Sequence, residues 1–258
     1  MSNDTRAIGK PLVGAAQTFE GSARPRTPVF VQANAPLFYC VGIAALTELE
    51  GVAVAERLAR RFADYRDVAE WLRHRLMRVR QAHADLLATY IASVWPTFDF
   101  VDAYRRFVDA RASSTIFLPG AVEALQLCVR HAESALLYRC LSKWAEHDEL
   151  RALAARLSVD ESDAFDRFVT LYRSEARRAP LSAIRSWKAS AGAMMQDRDL
   201  RIPTAFHALV EQWGPNNPFM PLTCGDFMER MRVAIHSYAH LTALERLVFR
   251  PWLKAGRQ

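Results

Sequence analysis

The stretch that decides the fold is Trp71-Leu72-Arg73-His74-Arg75-Leu76-Met77-Arg78-Val79-Arg80-Gln81-Ala82-His83-Ala84-Asp85-Leu86-Leu87-Ala88-Thr89-Tyr90-Ile91. Leu72, Leu76, Leu87 and Tyr90 recur at steps of three and four, which defines one face of an amphipathic helix. Arg80 and His83 fall on that same face. A charge on a buried face is costly unless it is paired, hydrogen-bonded or bound to metal. These two residues therefore predict partners of opposite charge on neighbouring elements.

The partners are sought on the other helical segments. From about Ala35 to Phe62, Val41, Ala45, Val52, Ala55 and Leu58 form a stripe that Glu48 interrupts. From about Ala121 to Glu146, Val122, Val129, Leu136 and Cys140 define a face that includes Glu133. From Glu149 to Arg177, Leu150, Leu157, Ala164, Phe168 and Leu171 define a face that includes Glu161. Four long helices thus each place a charge at mid-length on the inner stripe. In an all-α chain that pattern predicts side chains that meet between facing helices. The bland alternative is that each acid sits at a stripe edge and reaches water.

The remaining punctuation agrees with an all-α chain. Pro96 ends the second helix, and a shorter segment, Phe98 to Ala112, crosses over to a turn at Pro119-Gly120. The break at His147-Asp148 is short, so the third and fourth helices should pack antiparallel. Smaller helices are expected near Leu181–Gln196 and Thr204–Trp213, then a proline-rich loop and a last helix over Gly225–Phe249. Residues 1–34 begin with a Gly-, Pro-, Ser- and Thr-rich stretch and read as a flexible arm, leaving 35–255 as one helical domain.

Composition narrows the function classes. The 258 residues are long enough to bury a core without staples. The net charge of +6 comes mostly from Arg, with Lys only at Lys10, Lys143, Lys188 and Lys254. These cations are interleaved with acids, and no compact basic block with stacking aromatics suggests nucleic-acid binding. Cys40, Cys128, Cys140 and Cys224 form no metal-type or redox-type pair and read as reduced thiols of a cytoplasmic protein. No signal peptide and no apolar run of membrane-spanning length are expected. His236 and His240 lie four apart, a chelating spacing, but without the acid of a zinc-protease motif.

Taken together, these residues resemble the ferritin-like carboxylate di-iron superfamily, most closely its acyl-carrier-protein desaturases. Trp71 followed by Arg80-Gln81-Ala82-His83-Ala84-Asp85-Leu86 resembles that branch's second-helix motif, a Trp and then Glu-x-x-His, a small residue, Asp and Leu. His83 matches the ligand histidine, and Arg80 stands where the ligand Glu belongs. Asp160-Glu161-Ser162-Asp163-Ala164 resembles the fourth-helix motif Asp-Glu-x-x-His, with Glu161 at the ligand Glu and Ala164 in place of the histidine. Thr47-Glu48 resembles the first ligand helix, and Glu133 is the candidate for the third-helix Glu.

The resemblance implies a ferritin-like four-helix bundle with extra C-terminal helices, a homodimer, and an acyl carrier protein or hydrophobic small molecule as partner. It also implies a metal site of His83, Glu161, Glu48 and Glu133 that lacks two donors, at Arg80 and Ala164. Two readings stay open. In one, the site has lost redox chemistry and binds no metal, Arg80 bridging Glu161 and one of Glu48 or Glu133 in a non-redox binding or structural protein. In the other, an atypical iron or manganese site, with Asp160 or Asp163 in reserve, sustains an oxidoreductase of the desaturase type. No catalytic residue is assigned in either.

Overall fold

The computed structural model describes residues 29–111, 120–178, 201–219 and 222–238. Over these residues the protein is all-α, with no strand. Helix α1 is a short turn, Val29–Gln32, and α2 spans Ala35–Arg61. Asn34 caps α2: its side chain accepts a hydrogen bond from the Leu37 amide at 3.0 Å, and Pro36 sits in the first turn, where no amide is needed. Arg60 and Arg61 occupy the last turn, where they complement the negative end of the dipole.

The next segment is one helical run in three parts. Helix α3 covers Arg66–Trp71, a π-helical turn covers Leu72–Leu76, and α4 covers Met77–Val94. The run stops at Trp95, before Pro96. Helix α5 (Phe100–Arg111) opens with the Asp99 side chain accepting from the Asp102 amide at 3.0 Å. Helices α6 (Gly120–Trp144) and α7 (Asp148–Arg178) pack side by side, joined by a short connection. Residues 201–213 form α8, a 3₁₀ turn follows at Gly214–Asn216, and α9 covers Cys224–Tyr238.

The buried apolar residues fall into two clusters, and their order along each helix fixes the directions. One cluster takes the N-terminal half of α2 (Leu37–Leu46), the C-terminal part of α4 (Leu87–Val94), the C-terminal part of α6 (Leu136–Leu141) and the start of α7 (Leu150–Leu157). The other takes the end of α2 (Ala55–Ala59), the π turn (Leu72, Leu76), the first half of α6 (Ala124–Cys128) and the end of α7 (Ala164–Leu171). So α2 runs antiparallel to α4, α4 runs parallel to α6, and α6 runs antiparallel to α7. The parallel step needs a crossover, and α5 lies on it, burying Ala103 and Phe107. Helices α8 and α9 close the first cluster through Phe206, Leu209, Trp213, Phe227 and Met231. Each fully buried Leu or Phe contributes about 1.5–3 kcal/mol, so these two clusters carry most of the stability.

Several expectations need adjustment. The expected arm reaches only to residue 28 at most, because Val31 of α1 is buried and the Trp95 indole donates to the Gln32 carbonyl at 2.9 Å. Residues 1–28, the expected helix at Leu181–Gln196, and the C-terminal part of the expected last helix lie outside the described residues. So does His240, and the side chain of His236. Among the described residues one helix, α2, is long and apolar enough to cross a membrane, with a window of mean hydropathy 1.6, where no apolar run of that length was expected. Some 61% of that window is buried inside the fold, as a core helix requires.

Candidate functional site

Between the two apolar clusters lies a layer of charge. Glu48 follows Leu46 on α2, Arg80 and His83 separate Leu76 from Leu87, His131 separates Cys128 from Leu136, and Glu161 separates Leu157 from Ala164. All four long helices therefore turn polar at one level. Glu48 and Glu161 are each 1% exposed, so their charges have no water to solvate them.

Arg80 is the centre of the layer. Its Nη1 donates to Glu48 Oε2 at 2.6 Å and lies 3.1 Å from Glu161 Oε1. Its Nη2 donates to Glu161 Oε2 at 3.2 Å and lies 3.1 Å from His131 Nδ1. The guanidinium thus spans two carboxylates, one from each of two helices, with the forked geometry that suits it to such bridging. Gly51 makes room for its stem: a Cβ there would meet Arg80 Cδ at 3.0 Å and Nε at 3.3 Å.

The other groups complete the layer. Tyr138 donates its hydroxyl to Glu48 Oε1 at 2.6 Å. His83 lies between two acids, its Nδ1 3.4 Å from Glu48 Oε2 and its Nε2 2.9 Å from Asp160 Oδ2. His131 Nδ1 is 3.0 Å from Glu161 Oε2, and the ring stacks on Phe168 at 4.8 Å. Burial pushes the Glu48 carboxyl up, but Arg80, His83 and Tyr138 outweigh it and hold the group at about 2. Burial would lower the Arg80 guanidinium, yet Glu161 and Glu48 raise it above its ordinary value. For His83, burial works downward and the two neighbouring carboxylates, Glu48 first, bring it above its ordinary value. For His131, burial dominates and Arg80 adds to it, so this ring stays neutral against the pull of Glu161. The layer thus sets the buried acids Glu48 and Glu161 against the Arg80 guanidinium, with the His83 ring drawn toward its charged form.

The structure brings together Glu48, Arg80, His83 and Glu161 as the inner stripes predicted. Of the two bridges expected for Arg80, the one to Glu48 and Glu161 is the one formed. Glu133 is buried, but the α6 residue that meets Arg80 is His131, two positions earlier. Positions two apart on a helix are separated by about 200°, so Glu133 faces away from the side His131 occupies. Ala164 lies one turn beyond Glu161, packed among Leu72, Leu76 and Phe168, and offers no donor. His131 and Tyr138 went unrecognised in the sequence. They are seven residues apart and share a face, but α6 is buried almost all round, so periodicity could not choose between faces.

A metal ion can be tested against this donor set. Glu48, His83 and Glu161 each offer a ligand atom within 4.8 Å of one another. A two-iron site does not fit, because Arg80 and Ala164 bring no donor and the Arg80 guanidinium occupies the space between the carboxylates. A positive charge that never leaves would also repel a divalent ion. Cys40 and Cys128 offer no alternative, since burial pushes both up to about 12, far from the thiolate form. No family model, curated protein or solved structure matches the chain.

Proposed function

We propose that the chain is a ferritin-like four-helix bundle, related to the acyl-carrier-protein desaturases, in which an arginine has taken over the structural place of the metal pair. On this reading it is a non-redox binding or structural protein. The observation that carries it is the position of Arg80, 2.6 Å from Glu48 and 3.1 Å from Glu161. Metal ions in such bundles sit between inward-facing carboxylates of different helices, and here a guanidinium sits there. The helix directions support the bundle assignment, with a single long crossover between the second and third long helices, as ferritin-like folds have.

In this reading the cluster fixes helix register, a role in which buried ionic groups serve specificity more than stability. The free, reduced cysteines suit a cytoplasmic setting. A homodimer, with an acyl carrier protein or a hydrophobic acyl-type ligand as partner, is the assembly that the desaturase resemblance adds to the proposal.

The test is elemental analysis of protein from cells supplemented with iron and manganese, purified without chelator. No metal above background is expected. Near-stoichiometric iron or manganese that disappears in His83→Ala would overturn the reading. It would instead favour an oxidoreductase with one metal on Glu48, His83 and Glu161, the arrangement that the 4.8 Å grouping allows once Arg80 swings away.

A further inference from the structure

We draw no further inference here: the strongest candidate, the groove between the α3–α4 run and α7 floored by Trp71 and Phe168, carries none, because its rim acids Asp160 and Asp163 already face His83 and Arg75 and nothing in the structure shows what covers its apolar floor.

Discussion

Arg80→Met removes the one permanent cation of the buried layer while keeping much of its apolar stem. Glu48 and Glu161 then share the interior with only His83 to balance them. Glu48 is held at about 2 rather than 4.5, which corresponds to ~3 kcal/mol at about 1.4 kcal/mol per tenfold change. Arg80 is the largest of the groups that outweigh burial in this net shift, with His83 and Tyr138 adding to it, and removing one partner of a buried pair costs roughly 3–5 kcal/mol. The pH dependence has a definite sign. A carboxyl lowered on folding contributes stability above its unfolded value, and loses it as pH falls through the folded value. The wild type therefore keeps the Glu48 contribution at neutral pH and loses it between about 4.5 and about 2. In the variant, burial acts without Arg80 and pushes Glu48 upward, so folding takes up a proton and mild acid helps. Urea unfolding followed by circular dichroism, at neutral pH and again near pH 4.5, reads the difference. The deficit of Arg80→Met should be several kcal/mol at neutral pH and smaller in acid. A neutral-pH deficit below about 1 kcal/mol, the size of an exposed pair, or a deficit that does not shrink with pH would refute the reasoning.

Three further outcomes are expected. Gly51→Ala should destabilise by about 1–2 kcal/mol, because its Cβ crowds Arg80 Cδ at 3.0 Å, whereas in an Arg80→Ala background it should stabilise by about 0.5–1 kcal/mol through helix propensity; a denaturant double-mutant cycle without that change of sign would be wrong for this contact. Gly42→Ala should cost about 1–3 kcal/mol and alter the near-ultraviolet signal of the aromatic cluster, since its Cβ would lie 2.7 Å from Leu209 Cδ1 and push α8 off α2; an unchanged melting temperature would contradict that packing. In Asp160→Asn the His83 titration, followed by NMR of the ring protons, should move down. His83 is raised in the folded protein, so its contribution is present below about 6.5 and is lost as pH rises through the raised value; the variant should lose it earlier, and an unmoved midpoint would show that Asp160 does not bear on the ring.

Much of the fold could be read from the chain. The three- and four-residue spacing of Leu72, Leu76, Leu87 and Tyr90 placed Arg80 and His83 on a buried face, and both are there. The helical pattern that begins near Ala35 marked the start of α2, and Pro96 marked the end of α4. The π turn at Leu72–Leu76 was not readable, because its residues are ordinary helix formers and a wider turn arises from packing rather than from any residue type. Helix α1 was hidden by its surroundings: a short apolar segment after a Gly- and Pro-rich stretch gains its helix only by burying Val31.

What the sequence determined by itself is the long helices and the presence of inward charge, since both depend on periodicity along a single helix. Which charges meet was decided only in three dimensions. A stripe predicts that Glu48, Arg80 and Glu161 are buried, but their partnership depends on the relative height and rotation of separate helices. On α6, where nearly every face is buried, the same uncertainty pointed to Glu133 and passed over His131. A small cavity beside the ion layer is likewise a property of packing, because it joins residues from α2, α4, α6, α7 and α8 that share no spacing in the chain.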